Sequence, residues 1–297
     1  MNNKTEIGKI KSWVIASRPR TLPAAVVPVL VGSAAAASDN KFILLYAFIA
    51  LICSLLIQIG TNFTNDLFDY LKGADNEKRK GPLRVMVNEL ITVSEMKTGI
   101  AIIFLTAFAL GLYLVYTGGF FVLVIGIASI LAGIAYTAGP YPLAYNGLGD
   151  LFVFMFFGVV GTIGTYYVQA HTLSYLAFLC SIPVGALITN ILVINNYRDI
   201  DEDRAANKYT LAVKFGREFT RYQFIFLLLI SFLIPLVLFF AFAFKCWVFL
   251  PYITIPIAFR LIKMLYSYDG KELNKALELT ARLSAIFGLL FSAGILL

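Results

Sequence analysis

The chain has 297 residues, of which 60% are hydrophobic and only 14% charged, and its formal net charge is +7. A soluble domain has about 45–50% apolar and about 25% charged residues, so this chain has too few charges to cover a surface that faces water. The composition excludes a soluble enzyme, a disulfide-rich secreted module and a disordered chain. It indicates an all-α, polytopic membrane protein.

Apolar segments of roughly 20 residues, the length that crosses a bilayer as a helix, recur along the chain. They predict a bundle of about nine transmembrane helices in a single domain, residues 1–297. Residues 1–20 of that domain are predicted to form a cytoplasmic or interfacial segment before the first helix. In chain order, the predicted spans are 21–38, 42–62, 98–117, 120–138, 148–168, 174–194, 222–243, 246–264 and 278–297.

The basic residues are sorted to one side of these predicted spans. With the N-terminus inside, 22 of the 24 Lys and Arg residues fall on the inner side, and only Lys41 and Lys245 fall outside. Positive charge marks the cytoplasmic side of a membrane protein, so the pattern predicts a cytoplasmic N-terminus and a multi-pass protein of the inner membrane. We interpret the basic residues as topology signals and expect no nucleic-acid partner. No protein partner can be inferred from the sequence.

A first acidic cluster follows the second predicted span, at the start of an inner loop over 63–97. If that helix continues past the membrane face, Asn62, Asp66 and Asp69 lie on one stripe and Asn65 flanks it. Cations follow within the same loop, namely Lys72, Arg79 and Arg84.

A second acidic cluster follows the sixth predicted span, at the start of an inner loop over 195–221. Asn195, Asp199 and Asp203 recur every four residues, which again predicts one helical stripe. Arg198 and Lys208 lie beside it.

Two interpretations of these clusters are open. Most charge runs are solvated loop residues, but two clusters that each begin with Asn one turn before the acids are poorly explained in that way. Carboxylate oxygens are the ligands that Mg²⁺ prefers, and Mg²⁺ is usually shared between protein carboxylates and substrate phosphates. We therefore favour a metal-bridged diphosphate site at the inner membrane face.

The clusters resemble the two Asp-rich motifs of the UbiA superfamily of intramembrane aromatic prenyltransferases. The wider context is similar to the branch that acts on 1,4-dihydroxy-2-naphthoate in menaquinone synthesis. The segments that carry the resemblance are Ser17–Ala24, Gly60–Asp66, Lys72–Asp75, Gly81–Arg84, Tyr136–Pro142, Gly147–Asp150, Asn195–Asp199 and Asp203–Leu211.

The resemblance implies transfer of a polyprenyl group from polyprenyl diphosphate to 1,4-dihydroxy-2-naphthoate, with loss of CO₂, to give demethylmenaquinone. It implies a cytoplasmic active site with two Mg²⁺ ions, one held by Asp66, Asp69 and Asp75 and the other by Asp199 and Asp203. The implied diphosphate-binding residues are Asn62, Asn65, Lys72, Arg79, Arg84, Asn195, Arg198 and Lys208.

Three further residues are candidates for the organic substrates. Tyr136 is the preferred candidate to stabilise an allylic cation because it lies in a segment that carries the resemblance. Other aromatic residues near the site are Phe63, Phe68, Tyr70 and Tyr141, and each of the five is otherwise explained as core or interfacial packing. Arg18 or Arg20 is expected to bind the carboxylate of the aromatic acceptor, although either residue is equally explained as a topology anchor.

Two positions depart from the family pattern. Gly73 stands where many members have a third Asp in the first motif, and Asp75 is the expected substitute. Asn207 stands where the branch usually has Gly. Because Asn tolerates left-handed backbone nearly as Gly does, we expect the turn at Asn207 to persist.

Two other functions remain as alternatives. One is prenyl transfer to a different aromatic acceptor, of the 4-hydroxybenzoate or homogentisate type. The other is cation-coupled transport, although transporters usually hold ions near the bilayer midplane rather than at one face. A row of small residues, Gly158, Gly161 and Gly164, predicts close helix packing and would otherwise leave room for a prenyl tail.

Overall fold

The computed structural model describes residues 7–74 and 81–297, and within that part the chain forms helices and no strands. Asp75 and Arg79, two of the predicted site residues, lie outside the described residues. The helices are α1 Lys9–Ser17, α2 Pro23–Ser38, α3 Leu44–Leu71, α4 Val93–Gly118, α5 Phe120–Ala135, α6 Gly149–Val153, α7 Gly161–Ala170, α8 Tyr175–Arg198, α9 Ile200–Ala205, α10 Leu211–Phe242, α11 Ile255–Ser267 and α12 Leu273–Leu296.

The predicted all-helical membrane fold is confirmed. Seven helical segments of the described chain are long and apolar enough to cross a bilayer, and they correspond to seven of the predicted spans. The other two predicted spans correspond to α2 and α5, which have 16 residues each, below the roughly 20 residues of a straight crossing. The helices before and after Leu22 bend by 51° relative to each other. Pro23 explains the break, because proline is well tolerated in the first turn of a helix but has no N–H to continue the hydrogen bonds of the preceding segment.

Parts of the two predicted inner loops are helical. α3 continues to Leu71, and α4 begins at Val93 behind a capping box formed by Thr92 and Glu95. In the second loop, α8 extends to Arg198, α9 follows, and α10 begins at Leu211. The reason for the longer α3 is its apolar face, since Phe63 and Leu67 are buried in a cluster with residues of α1, α4 and the preceding loop.

The last helix packs against the first membrane helix. α12 contacts α2, α8 and α11, and its buried Leu283, Phe287 and Phe291 join the largest hydrophobic core. At Gly288 an added Cβ would lie 2.5 Å from a methyl carbon of Val27 in α2. The two ends of the chain therefore close the bundle, and the helix ends that carry the polar clusters meet on one side of it.

The glycine row has a packing role at two of its three positions. An added Cβ at Gly158 would lie 2.6 Å from the Cα of Gly185 in α8, and one at Gly161 would lie 2.9 Å from Pro28. Gly158 lies in a π-helical segment, Phe154–Val160, between α6 and α7. A Cβ added at Gly164 would lie no closer than 3.8 Å to another atom, and Gly164 lines the cavity described next.

Candidate active site

A cavity of about 850 Å³ lies inside the bundle, with one polar end and apolar walls. Both polar clusters border that end, through Asn65, Asp69 and Arg84 on one side and Asn195, Arg198 and Lys208 on the other. The walls further in are apolar, including Ile57, Ala107, Leu112, Val115, Ile125 and Phe156. The cavity can therefore accept a molecule with an anionic head and a hydrocarbon tail.

Asp66 is almost fully buried and is balanced by two arginines. Arg18 donates a hydrogen bond of 2.7 Å from Nη2 to Asp66 Oδ1, and Arg84 donates from Nη1 to the same oxygen. The loop that carries Arg84 is fixed because the adjacent Val85 and Met86 are buried. A buried carboxylate needs such partners, since an isolated charge is costly away from water.

Asp69 and Asn65 lie on the cavity side of the same helix. Tyr145 donates its hydroxyl to Asp69 Oδ1 at 2.9 Å, and Arg84 Nη2 lies 3.8 Å from Asp69 Oδ2. Asn65 Oδ1 accepts a hydrogen bond of 2.8 Å from the hydroxyl of Thr137. The continuous α3 thus presents the first cluster on one face, as the sequence predicted.

Two predicted residues of this segment donate hydrogen bonds to backbone carbonyls. Asn62 donates to the carbonyl of Ser17 at 2.9 Å, which ties α3 to the N-terminal segment. Lys72 caps α3 and donates to the carbonyl of Thr137 at 2.7 Å. Partial desolvation lowers the pKa of the Lys72 ammonium, and the negative charge of Asp69 works in the opposite direction.

Arg198 is the centre of the second cluster and is 1% exposed. Its Nε and Nη2 each donate to one oxygen of Asp199 at 2.6 Å. Its remaining donors reach Asn195 Oδ1 at 2.8 Å and Asn274 Oδ1 at 2.7 Å. The guanidinium group is thereby locked in one orientation at the cavity wall.

The second stripe is interrupted at Asp199, where α8 ends and after which α9 begins. The Asp199 N–H still donates to Asn195, and the Asp203 N–H donates to Asp199, so one helical turn separates each pair. Lys208 Nζ lies 3.3 Å from Asp203 Oδ1. Asn207 has φ of 54°, so the left-handed turn expected there is confirmed.

Arg18 and Arg20, the two candidates for the acceptor carboxylate, both line the cavity, as does Tyr136, the candidate for the allylic cation. The Arg20 side chain is 75% exposed, and its Nη1 lies 3.9 Å from Glu278 Oε2 of α12. Arg18 instead contacts Asp66. Arg20 is therefore the arginine at the opening with the weaker existing contact.

Three site residues were missed by the sequence interpretation, namely Thr137, Tyr145 and Asn274. Thr137 belongs to a segment that resembles the family, but no role was assigned to it. Tyr145 follows the same segment by three residues. Asn274 is the second residue of α12, beyond the segments that carry the family resemblance, so no sequence signal identifies it.

The carboxylates fit a magnesium site in which the substrate diphosphate supplies the remaining ligands. Within residues 7–74 and 81–297, no three His, Cys, Asp or Glu side chains converge as a metal site. Mg²⁺ usually binds one or two protein carboxylates together with substrate phosphates and water. Each cluster supplies two carboxylates and an Asn oxygen within two helical turns, which is a donor set of this type.

Comparison of the sequence with known families and proteins gives concordant matches. The profile of the UbiA prenyltransferase family matches residues 25–286. A 1,4-dihydroxy-2-naphthoate octaprenyltransferase of Haemophilus influenzae is 35% identical, with 97% of each chain covered. The octaprenyltransferase of the same name from Escherichia coli is 37% identical over 98% of this chain and 97% of its own.

The fold is also found among solved structures. The apo structure of a UbiA homolog from Aeropyrum pernix matches with a TM-score of 0.69 and 17% identity, covering 93% of this chain and 95% of that one. A UbiA homolog from Archaeoglobus fulgidus, bound to DMAPP and Mg²⁺, matches with a TM-score of 0.68 and 16% identity, covering 96% and 99%. At these identities the two structures support the fold alone.

Proposed function

The chain belongs to the UbiA prenyltransferase family, and on that premise we propose that it transfers a polyprenyl group to 1,4-dihydroxy-2-naphthoate. The donor is a polyprenyl diphosphate, and the ring carboxylate leaves as CO₂, so the product is demethylmenaquinone. The observation that carries this proposal is the near full-length match to two naphthoate octaprenyltransferases.

The diphosphate binds at the polar end of the cavity. Lys72, Arg84, Arg198 and Lys208 supply positive charge there, and Asn65 and Asn195 supply amide groups. Negative charge grows on the diphosphate as the allylic C–O bond breaks, and fixed cations stabilise that charge most in the transition state. Four hydrogen bonds hold Arg198 at the cavity wall, so its positive charge is fixed at the polar end where the diphosphate binds.

Asp66 and Asp69 would hold one Mg²⁺, with Asp75 as a further proposed ligand, and Asp199 and Asp203 would hold the second. Bound Mg²⁺ supplies Lewis-acid stabilisation of the diphosphate oxygens. Arg18 and Arg84 balance Asp66 in the structure described here, so they are the cations expected to shift toward the diphosphate on binding.

The apolar walls keep water from the reacting carbon. Tyr136 lines the cavity next to Thr137, which contacts Asn65, and the ring of Tyr136 is proposed to stabilise the allylic cation. The exposed Arg20 is proposed to bind the acceptor carboxylate at the opening of the cavity. The prenyl tail lies along the apolar interior, where Gly164 leaves space.

We further propose that the whole chain is one domain of the inner membrane with its active site facing the cytoplasm. The distribution of Lys and Arg supports this orientation. The catalytic surface is formed by the segments 63–97 and 195–221.

An acceptor panel tests the proposal. Purified protein with Mg²⁺ and a polyprenyl diphosphate should release CO₂ from 1,4-dihydroxy-2-naphthoate and form a prenylated naphthoquinol. Turnover of 4-hydroxybenzoate or homogentisate without any naphthoate product would contradict the acceptor assignment and favour the alternative acceptor class.

Two conservative variants test the assigned carboxylates. Asp69→Asn and Asp199→Asn should each lower turnover by at least about 100-fold, because each loses a negative charge that holds Mg²⁺. Asp201→Asn is the matched control, since the Asp201 side chain is 64% exposed beside the second cluster. Equal activity of all three variants in the same assay would contradict the two-metal site.

A further inference from the structure

The loop between α5 and α6 connects the two acidic clusters through its backbone. On one side, its Tyr145 carbonyl accepts a hydrogen bond of 2.9 Å from the N–H of Tyr209, just after the second cluster. The next carbonyl, of Asn146, accepts from Lys214 Nζ at 2.8 Å. On the other side, Thr137 contacts both Asn65 and Lys72 of α3. The loop is therefore fixed to both clusters.

The side chain of Tyr145 makes the same connection inside the site. Its hydroxyl donates to Asp69 Oδ1 at 2.9 Å. The Lys72 Nζ lies 4.5 Å from the centroid of its ring, and the Lys208 Nζ lies 5.8 Å from the same centroid. Both distances are within the range of cation–π attraction. The Tyr145 side chain thus contacts a carboxylate of the first cluster through its hydroxyl. Its ring contacts the ammonium group of Lys72 beside the first cluster and that of Lys208 beside the second.

We propose that Tyr145 is a positioning residue that orients Asp69 for Mg²⁺ and fixes the separation of Lys72 and Lys208 around the diphosphate. The inference rests on the proposed function, since it assigns Tyr145 to the same site. Tyr145 acts through these three side chains and does not take part in bond making or breaking.

The hydroxyl and the ring have separable effects. The hydroxyl occupies Oδ1 of Asp69, which fixes the carboxylate plane and leaves Oδ2 directed toward Arg84. Residues that orient a metal ligand typically change metal affinity or activity by 10–100-fold when mutated. The ring instead attracts two ammonium groups that would otherwise repel each other, and so holds them ready for a phosphate.

The experiment measures binding of inorganic diphosphate to the full-length protein in detergent by calorimetry, over a series of Mg²⁺ concentrations and without acceptor. Tyr145→Phe keeps the ring and removes the hydroxyl. It should raise the Mg²⁺ concentration for half-maximal diphosphate binding about tenfold. Tyr145→Leu should in addition weaken diphosphate binding at saturating Mg²⁺, because both cation–π contacts are lost.

Tyr166→Phe is the matched control. The Tyr166 hydroxyl donates to Asp39 Oδ2 at 2.6 Å, so this variant also loses a hydrogen bond from tyrosine to a carboxylate. Asp39 follows the far end of the 16-residue α2, about 24 Å along the helix from its start near the site. Tyr166→Phe should lower the unfolding temperature without changing the Mg²⁺ dependence.

Unchanged Mg²⁺ dependence in Tyr145→Phe, with an unfolding temperature lowered as in Tyr166→Phe, would overturn the proposal and leave Tyr145 a structural residue. A wild-type protein that binds diphosphate with Mg²⁺ but does not prenylate naphthoate would instead contradict the proposed acceptor. In that case the altered Mg²⁺ dependence of Tyr145→Phe would still support the role of Tyr145.

Discussion

At the scale of single residues, buried charge is concentrated where the two clusters meet the cavity. Asp66, Arg198 and Asp199 are each at most 4% exposed. Charges in such places are costly unless each is paired and hydrogen-bonded. Asp66 pairs with Arg18 and Arg84, and Arg198 pairs with Asp199 and Asn274, which shows how the site keeps its charges inside an otherwise apolar bundle.

Arg198 should contribute to both stability and turnover. Arg198→Gln removes one partner of a buried ion pair, which should lower the free energy of unfolding by about 3–5 kcal/mol. Arg198→Lys keeps the charge but loses the forked geometry, so we expect it to recover stability only in part. Thermal unfolding in detergent, measured beside the prenyl-transfer assay, tests both variants.

Arg217→Gln is the comparison for this pair of variants. Arg217 pairs with Asp201 and Asp269, whose side chains are 64% and 82% exposed. Exposed ion pairs contribute about 1 kcal/mol or less, so this variant should unfold close to the wild-type temperature. Equal losses for Arg198→Gln and Arg217→Gln would contradict the buried-pair interpretation.

At the scale of elements, the close contact between α8 and the π-helical segment depends on a missing side chain. In Gly158→Ala the new Cβ would lie 2.6 Å from the Gly185 Cα and 2.9 Å from the Ser181 carbonyl oxygen. Backbone atoms cannot move aside as a flexible side chain can, so we expect a loss of about 1–3 kcal/mol in unfolding free energy.

Gly111→Ala provides the opposite case. No atom lies within 4 Å of a Cβ added at Gly111, in the middle of α4. Alanine favours a helix over glycine by about 0.5–1 kcal/mol, so this variant should unfold at or above the wild-type temperature. If Gly158→Ala were as stable as Gly111→Ala, the close contact between α8 and the π-helical segment would not require glycine at position 158.

Sequence patterns predicted the elements better than their junctions. Hydropathy identified the membrane helices, and the four-residue spacing of Asn62 and Asp66 predicted the stripe on α3 because that helix is continuous. The break at Asp199 has no such signature, since the Asn195, Asp199 and Asp203 spacing is the same as in a continuous helix and neither Gly nor Pro marks the junction between α8 and α9. The roles of Tyr145 and Asn274 arise from contacts with residues far away in sequence, which periodicity cannot reveal.

At the scale of the whole molecule, the proposed orientation can be tested with the native cysteines. Cys246 is exposed next to Lys245 on the proposed outer side, whereas Cys53 is half-buried and Cys180 is buried. A membrane-impermeant maleimide should therefore label intact cells or right-side-out vesicles at Cys246, and Cys246→Ser should abolish the signal.

Lys271→Cys in the Cys246→Ser background reports on the other face, because Lys271 is exposed on the proposed cytoplasmic side. This variant should react only after the membrane is opened. Labelling of Lys271→Cys in intact cells would mean that the orientation is reversed.

The contact between the last helix and the rest of the bundle has a consequence for biosynthesis. The ribosome synthesises Arg198 and Asp199, at the end of α8, well before Asn274, which hydrogen-bonds Arg198. The part of α12 that packs on Val27 of α2, at Gly288, is synthesised later still. A nascent chain that stops before α12 already carries both acidic clusters. It lacks Asn274, whose side-chain oxygen accepts a hydrogen bond from Arg198, and it lacks the part of the cavity wall that α12 forms. We therefore expect chains that stop before α12 to be inactive in the prenyl-transfer assay rather than partly functional.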